Sequence, residues 1–412
     1  MPPALPTHPA LDNDDSMLTR RFGQEVVNYY SGSCANRYSF LRADGLFLRR
    51  AAAAPRTRYV ALSGLNPLTN AEGTHLTRFT LKDMSSLIGD QPFAVSEDDA
   101  VKQWDSTKKV PLIVFLGMVE EKEAETIESS EHGPIHGNPI FAVDVMTTGP
   151  LASEAEAFIE KHSKDGGQLQ TNPRAMSLEA HDAALFAQSR SIIDWNLRIP
   201  FCAGCGNPTL SVHAGYKRVC PPTDLRGNAS SPVELPSCPS RKGITNIAFP
   251  RTDPTMIAAI VSADGQRVLL GRQKSWPDHM YSTLAGFLEP GESIEEAVRR
   301  EAWEESGVKV GRVVVHSSQP WPYPASLMIG AIAQTLPGEG EEIHLNDKEL
   351  DTAKWFEFDE IRKALETSAG PLHLPPPEGY QAGTLRLPPQ QAIANRLITA
   401  VVNGYLSGVP KM

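Results

Sequence analysis

A helix predicted between residues 293 and 307 limits the possible folds more than any other part of the sequence. Ser293 is a favourable N-terminal cap, and Glu296 three residues later completes a capping box. Gly307 ends the helix, because glycine readily adopts the left-handed backbone conformation that follows a last turn. The segment therefore predicts a helix of roughly four turns.

The apolar face of this helix also carries two carboxylates. Ile294, Val298 and Ala302 recur every four residues and mark the face that packs against a core. At about 100° per residue, Glu301 and Glu305 each lie roughly 20° from Ile294 around the helix axis. Because burial of an unpaired carboxylate is costly, a cation is expected beside these two side chains.

A third carboxylate, Glu304, flanks the pair about 80° from Ile294. Such a group of oxygen ligands suits a hard divalent cation, Mg²⁺ or Mn²⁺. Glu295 and Glu296 are explained by the cap and by the helix dipole. The alternative is a solvated acidic face, which is the usual role of a charge run, but the placement on the apolar side argues against it.

Residues 286–308 resemble the Nudix box, G-x₅-E-x₇-R-E-U-x-E-E-x-G-U, in which U is apolar. Every fixed position is filled, by Gly286, Glu292, Arg300, Glu301, Ala302, Glu304, Glu305, Gly307 and Val308. The resemblance implies an α/β/α sandwich that hydrolyses a nucleoside diphosphate linked to another moiety. It implies that Glu301, Glu304 and Glu305 are catalytic residues that bind Mg²⁺ or Mn²⁺. Arg300 is expected to pair with Glu292.

A second segment, which begins at Ser318, resembles the array S-Q-P-W-P-F-P-x-S of the NADH pyrophosphatase branch of Nudix enzymes, with Tyr323 where Phe is usual. Trp321 and Tyr323, held by three prolines, would form a stacking wall for a base. The alternative is a strand end with turn prolines. The resemblance implies substrate contacts by Gln319, Pro320, Trp321, Pro322, Tyr323, Pro324, Ala325 and Ser326.

Other positions match the same branch. Residues 249–254 resemble its Y-P-R-x-D-P junction, with Phe249, which has no hydroxyl group, where Tyr is usual. Ala285, Phe287 and Ala394 match substrate contacts. Glu349 matches a further acidic metal ligand. The branch also implies a homodimer.

Four of the five cysteines fall within one segment. Cys202 and Cys205 form a C-x₂-C pair, and Cys220 and Cys238 follow at looser spacing. Four thiolates suit a tetrahedral structural zinc ion and leave no open coordination position. The alternative is a set of unrelated buried cysteines. The branch carries a four-cysteine zinc module here, but its second pair is tighter, which weakens the prediction for Cys238. Cys34 stands apart.

Composition limits partners and location. The formal net charge of -10 disfavours general binding to nucleic-acid backbone. No apolar run approaches the length of a membrane span, about 18 residues, and the first residues lack the order of a signal peptide. The terminal Pro410, Lys411 and Met412 resemble a variant of the S-K-L peroxisomal address, the alternative being a random tail. Peroxisome and cytoplasm both stay open.

The order of patterns predicts an α+β or α/β protein without an internal repeat. We expect a tail at 1–17, an α/β domain at 18–196, a zinc-ribbon module with a long Pro/Ser loop at 197–248, and a Nudix domain at 249–412. A surface loop is expected at 120–131. Strands are predicted at 110–119, 141–146, 256–262, 267–271, 308–315 and 327–334, and helices at 177–196, from 294, at 359–367 and at 391–406.

The function that these features favour is metal-dependent hydrolysis of NADH, and more weakly NAD⁺, to reduced nicotinamide mononucleotide and AMP. Alternative substrates are ADP-ribose, diadenosine polyphosphates and the NAD cap of RNA. A different class of protein would be a zinc-ribbon binding module with an inactive Nudix domain. The complete set of glutamates argues against that class.

Overall fold

The computed structural model describes residues 3–7, 16–22, 24–228, 230–243, 248–372, 374–378 and 380–403. The chain divides into two compact units. The first consists mainly of Ser33–Arg251 with Pro322–Pro324, and the second mainly of Thr252–Trp321 and Ala325–Met412 with Ala4–Gly32. The predicted peroxisomal address lies outside the described residues. No helix that the structure describes is long and apolar enough to span a membrane.

The described residues form helices and strands that are numbered here in chain order. The helices are α1 (Met17–Phe22), α2 (Gly45–Ala53), α3 (Leu81–Ile88), α4 (Glu97–Lys102), α5 (Ala152–Lys164), α6 (Ala180–Arg198), α7 (Ile294–Ser306), α8 (Phe358–Thr367) and α9 (Ile393–Val402). The strands are β1 (Ala35–Asn36), β2 (Arg58–Ser63), β3 (Asn66–Thr69), β4 (Ile113–Val119), β5 (Thr126–Ser129), β6 (Gly133–His136), β7 (Asn138–Asp144), β8 (Gln168–Leu169), β9 (Leu210–Val212), β10 (Lys217–Val219), β11 (Thr223–Asp224), β12 (Val233–Glu234), β13 (Asp253–Val261), β14 (Arg267–Gln273), β15 (Leu284–Phe287), β16 (Val310–Trp321), β17 (Ser326–Thr335) and β18 (Leu350–Glu357).

The second unit is an α/β/α sandwich, as the Nudix resemblance implies. Its sheet runs in the order β16-β17-β13-β14-β18, and β15 pairs with β13. Alternate residues of β13 face opposite layers, because side chains alternate along a strand. Met256 and Ala258 pack in the core that contains Val298 of α7. Ile257 and Ala259 pack in the core beneath α8 and α9.

The first unit contains a mixed sheet in the order β1-β4-β7-β2-β3-β8. Its core includes Tyr59, Phe115 and Phe141, which belong to three different strands and are fully buried. The cysteine segment adds two short antiparallel pairs, β9 with β10 and β11 with β12. Outside these strands, the unit carries α2 to α6.

The two units repeat one topology. In the first, β4 is antiparallel to β7, β7 is parallel to β2, and β3 is antiparallel to both β2 and β8. In the second, β16, β17, β13, β14 and β18 show the same sequence of orientations. The prediction of no internal repeat is therefore wrong at the level of the fold. The two units have the same strand order and orientation, and such a structural repeat does not require a repeated sequence pattern.

Two predicted loops contain strands. The acidic segment 120–131 includes β5, which forms a hairpin with β6 and pairs Ile127 with Ile135. The Pro/Ser loop of the zinc-ribbon module includes β11 and β12, joined by the pairs Thr223 with Glu234 and Asp224 with Val233. Both predictions were wrong in part, because cross-strand pairing outweighs charge and turn-residue content over such short segments.

Candidate active site

The helix α7 begins and ends where its capping residues predict. The Ser293 hydroxyl accepts a hydrogen bond from the Glu296 amide at 3.2 Å, and the Glu296 carboxylate accepts one from the Ser293 amide at 2.8 Å. Gly307 has a φ of 74° and its amide donates to the Trp303 carbonyl at 2.8 Å. Local sequence therefore fixes the rotation of the helix and with it the direction of its acidic side chains.

Burial along α7 follows the predicted face. Val298 and Ala302 are fully buried, and Glu305 among them is 3% exposed. The Glu301 side chain is 12% exposed and that of Glu304 is 41% exposed. The expectation that Glu301 and Glu305 lie on the apolar stripe, with Glu304 beside it, is confirmed.

Glu305 carries the strongest electrostatic perturbation of the site. Burial, followed by the negative charges of Glu349, Glu301, Asp347 and Glu304, raises its pKa to about 8. Its Oε2 atom is buried and has no hydrogen-bond partner among the described residues. A buried acceptor without a donor is costly, so this arrangement suits a bound cation.

Arg300 is the cation that the protein itself supplies. Its Nε and Nη2 atoms donate to the two oxygens of Glu292 at 2.8 and 3.0 Å, which confirms the expected pair. Its Nη1 atom donates to Glu301 at 2.8 Å and to Glu304 at 2.9 Å. Burial raises the pKa of Glu301, and Arg300 opposes that rise. No arginine among the described residues forms an ion pair with Glu305.

The strand β15 brings Gly286 against the helix. A Cβ atom at this position would lie 2.0 Å from the Glu301 carboxyl carbon, so a larger residue would force the Glu301 carboxylate out of its place. The neighbouring Phe287 is 60% exposed, and its carbonyl accepts a hydrogen bond from Arg300 at 2.8 Å. Ala285 is partly buried in the same strand. The two predicted contacts, Ala285 and Phe287, therefore flank the glycine that admits Glu301.

A loop before β18 adds acids that the helix pattern does not reveal. It docks on the end of α7, where the amides of His344 and Asp347 donate to the carbonyls of Ser306 at 2.8 Å and Glu304 at 3.0 Å. The loop thereby places Asp347 and Glu349 near Glu305. The sequence prediction included Glu349 and missed Asp347, although an acidic pair directly before a strand was a usable signal.

Gln273 is a second residue that the sequence prediction missed. It ends β14, and its Nε2 atom donates to the Glu349 carboxylate at 3.2 Å. Glu349 is exposed and its own amide donates to the Asp347 carboxylate at 2.9 Å. These two hydrogen bonds orient the Glu349 side chain. The bond from Gln273 depends on the pairing of β14 with β18.

The Gln319 side chain, in the array at 318–326, forms hydrogen bonds with three backbone groups. Its Nε2 atom donates to the carbonyls of Tyr29 at 3.0 Å and Gln391 at 2.8 Å, and its Oε1 atom accepts from the Ile393 amide at 2.9 Å. It is 1% exposed. Its amide group is therefore fully engaged within the second unit. Ala394, in the helix that Ile393 begins, is likewise buried in the core.

The rest of the array is divided between the units. Trp321 pairs with Ser326 across β16 and β17, and its ring meets Tyr30 edge-on at 6.0 Å between centroids. Tyr323 belongs to the first unit, where the guanidinium carbons of Arg174 and Arg190 lie 4.7 and 4.8 Å from its ring centroid. Three other predicted contacts are partly exposed, namely Pro320, Pro324 and Ala325, whereas Pro322 is buried.

The four cysteines of the first unit form a compact cluster. The sulfur atoms of Cys202, Cys205, Cys220 and Cys238 all lie within 4.8 Å of one another. The Cys202–Cys238 and Cys205–Cys220 sulfur pairs are 3.5 and 3.4 Å apart. A zinc–sulfur distance of about 2.3 Å places tetrahedral ligands about 3.8 Å from one another, so the cluster fits zinc. Cys34 lies outside it.

Three family models match the chain. A NUDIX domain covers residues 252–374, an NADH pyrophosphatase zinc ribbon domain covers 198–227, and an NADH pyrophosphatase-like rudimentary NUDIX domain covers 56–195. An NAD-capped RNA hydrolase of Schizosaccharomyces pombe is 34% identical over 380 residues, which are 90% of this chain and 92% of that protein. The chain belongs to the NADH pyrophosphatase family of Nudix hydrolases.

Two further relatives of this Nudix hydrolase cover most of its length. The NAD-capped RNA hydrolase NUDT12 of Homo sapiens is 33% identical over 376 residues, 91% of this chain and 73% of that protein. The NAD(P)H pyrophosphatase NUDT13, mitochondrial, of Mus musculus is 32% identical over 341 residues, 81% of both. As a member of this family, the chain is a pyrophosphohydrolase that needs a divalent metal.

The structure of the Nudix hydrolase brings some predicted residues together and separates others. Glu301, Glu304, Glu305 and Glu349 lie close enough for their charges to interact. The four cysteines meet, although the zinc ribbon match ends at residue 227, before Cys238. Gln319 is buried and hydrogen-bonded to backbone groups, and Ala394 is buried in the core.

Proposed function

We propose that this chain hydrolyses the pyrophosphate bond of NADH, and more weakly that of NAD⁺, to give reduced nicotinamide mononucleotide and AMP. The observation that carries the proposal is the buried Oε2 atom of Glu305, which has no hydrogen-bond partner in the described part of the chain and is surrounded by four other acids. The array at 318–326 and the names of the relatives support a dinucleotide as the substrate.

The residues that would hold Mg²⁺ or Mn²⁺ are Glu301, Glu304, Glu305 and Glu349. When bound, the metal neutralises phosphate oxygens and lowers the pKa of the attacking water. Arg300 holds Glu301 and Glu304 at fixed positions through hydrogen bonds of 2.8 and 2.9 Å. One glutamate of this group accepts the proton of the attacking water, and the substrate separates into two monophosphates.

Substrate recognition is assigned to exposed rings and small residues near the box. Phe287 presents an exposed ring next to Ala285. Trp321 of the second unit and Tyr323 of the first are each assigned to the stacking wall that the resemblance of the array implies. Pro320, Pro322, Pro324, Ala325 and Ser326 shape that wall. Gln319 and Ala394 support it from the core, because their side chains are buried. For Gln319 and Ala394, this supporting role replaces the direct substrate contact that the resemblance implies.

The remaining assignments concern the rest of the chain. We assign the regions 1–17, 18–196, 197–248 and 249–412 to a tail, an α/β domain, the zinc-ribbon module and the catalytic domain. One structural zinc ion per chain binds the four cysteines, and the chain forms a homodimer. Its location is the peroxisome or the cytoplasm. Loss of peroxisomal import after one residue is added behind Met412 would favour the first.

A substrate panel tests the proposal. Purified protein is incubated with NADH, NAD⁺, ADP-ribose and diadenosine polyphosphate, with Mg²⁺ or Mn²⁺, and products are separated by chromatography. We expect AMP and reduced nicotinamide mononucleotide from NADH at the highest kcat/KM. No release of AMP from NADH with either metal would refute the proposal, and faster hydrolysis of ADP-ribose would reassign the substrate.

A second candidate is removal of the NAD cap from RNA, which cleaves the same bond in a larger ligand. The names of two close relatives, from Schizosaccharomyces pombe and Homo sapiens, favour it. The net charge of -10 predicts weak affinity for the RNA body. The test is a comparison of NAD-capped oligonucleotide with NADH at several salt concentrations. A kcat/KM for capped RNA that equals or exceeds that for NADH would make the cap the preferred substrate.

A further inference from the structure

The first unit has a cavity at the place that corresponds to the catalytic cleft of the second. In the second unit the acids lie where the ends of β14 and β15, the helix α7 and the loop before β18 meet. In the first unit the corresponding features are the end of β3, the strand segment at Phe79 that bridges β2, the helix α3 and the turn before β8. Together with α5, which precedes β8 in the chain, these features line a cavity of about 360 Å³.

The cavity has an aromatic wall and one buried polar group. Phe79 and Phe158 are both at least nine-tenths buried, with ring centroids 4.9 Å apart. His162 is 8% exposed, and its Nε2 atom donates to the Thr69 carbonyl at 2.9 Å. In the neutral ring Nδ1 is then an acceptor, and it has no hydrogen bond with any described residue. Gly167 leaves room for this ring, because a Cβ atom there would lie 1.9 Å from it.

Two carboxylates stand at the rim. Asp83 forms the capping box of α3 with Thr80 through its Oδ2 atom, and within the described residues its Oδ1 atom accepts no hydrogen bond. Asp165 is exposed at the end of α5. Together with the exposed Lys161, these groups give the lining a net negative charge, which disfavours a di- or triphosphate.

We infer that this cavity binds a nucleoside, with the base against Phe79 and Phe158 and the ribose hydroxyls donating to Asp83 and Asp165. Carboxylates are the usual acceptors for a ribose diol, and flat bases stack on aromatic side chains. The volume lies within the range of small-molecule sites, about 300–1,000 Å³. The first unit lacks the acidic group of α7, because Ile88, the last residue of α3, stands at the position of Glu301, and α3 ends before the positions of Glu304 and Glu305.

Calorimetry with adenosine on the full-length protein tests this site. Ala71 is exposed and lines the cavity, so Ala71→Phe should fill it and weaken adenosine binding by at least tenfold. Ala53→Phe, at an exposed alanine of α2 outside the cavity, is the matched control and should bind as the wild type does. Thermal melting verifies that both variants fold. Equal affinity in Ala71→Phe and wild type, or no binding by the wild type, would overturn the inference.

A second measurement tests the role of the carboxylates and the location. The wild type should prefer adenosine to 2′,3′-dideoxyadenosine by about tenfold, and Asp165→Asn should reduce that preference. Hydrogen exchange should slow in segments 70–79 and 158–167 when adenosine binds. Protection confined to the second unit, or a tenfold preference for AMP over adenosine, would contradict the assignment. These results do not depend on turnover of NADH, so the site stands or falls separately from the proposed reaction.

Discussion

The sheets of the two units have the same strand order, but the helix that carries the acids in the second unit is shorter in the first. In both, a helix with a capping box follows the strand that pairs with the centre of the sheet, starting from Thr80 in one and Ser293 in the other. The helix α3 has eight residues and α7 has thirteen. Counted from the caps, Ile88 stands at the position of Glu301, and only the longer helix reaches the position of Glu305. The same fold can therefore be built with or without the acidic group, and the additional length of α7 carries Glu304 and Glu305.

Each unit also contains a buried carboxylate with a raised pKa, but the charges near the two carboxylates differ. Burial alone raises the pKa of Asp144 in the first unit to about 6. Burial and four neighbouring acids raise the pKa of Glu305 in the second unit to about 8. The metal ligands differ in the same way. The cysteines of the first unit are already assembled, whereas no three acids of the described chain have their oxygens within 4.8 Å of one another.

The largest effect is expected from Glu305→Gln. Removal of this charge should lower kcat for NADH by 10³-fold or more, on the order of what one charge-stabilising group contributes. The fold should remain, because the neutral amide is easier to bury. Release of AMP measures the effect, with Glu295→Gln at the solvated start of α7 as the control. Near-normal turnover would place the chemistry elsewhere.

Loss of one cysteine should act on the first unit instead. Cys238→Ser should weaken zinc binding by roughly 10³-fold, since a structural site uses all four ligands. Zinc retained against a chelator, measured by mass spectrometry, gives the result. Cys34→Ser is the matched control and should keep one zinc ion per chain. Full zinc retention in Cys238→Ser would remove this residue from the site.

Asp144→Asn should change how the free energy of unfolding depends on pH. Because the folded pKa of about 6 lies above the unfolded value of 3.8, the contribution of Asp144 to stability is full below pH 3.8. It is lost as pH rises through 6. The variant should therefore be more stable than wild type by about 3 kcal/mol at pH 8, with little difference at pH 3.5. Chemical denaturation at both values checks this, and equal stability at pH 8 would contradict it.

The smallest effect is expected from Arg300→Lys. Lysine keeps the charge but cannot donate to both Glu292 oxygens and to Glu301 and Glu304 together. We expect kcat to fall about tenfold and the metal concentration needed for half-maximal activity to rise. Arg299→Lys, which retains a donor near the Gly311 carbonyl, is the control. Wild-type values in Arg300→Lys would show that position matters less than charge.

Sequence predicted what depends on neighbours along the chain. The ends of α7 and the direction of Glu301 and Glu305 follow from a capping box and a 3.6-residue period. The roles of Gln273 and Asp347 depend on the pairing of β14 with β18 and on loop docking, which no local pattern encodes. The resemblance of the array implies a substrate contact for Gln319, and its hydrogen bonds to the Tyr29 and Gln391 carbonyls could not be predicted because these residues are distant in sequence.

The contact between Gly286 and Glu301 has a practical consequence for protein engineering. A side chain at this position would displace the Glu301 carboxyl group, whose carbon would lie 2.0 Å from the new Cβ atom. Libraries designed to change which base is accepted should therefore hold residue 286 constant. They should vary Phe287 instead, the exposed residue that is proposed to contact the substrate.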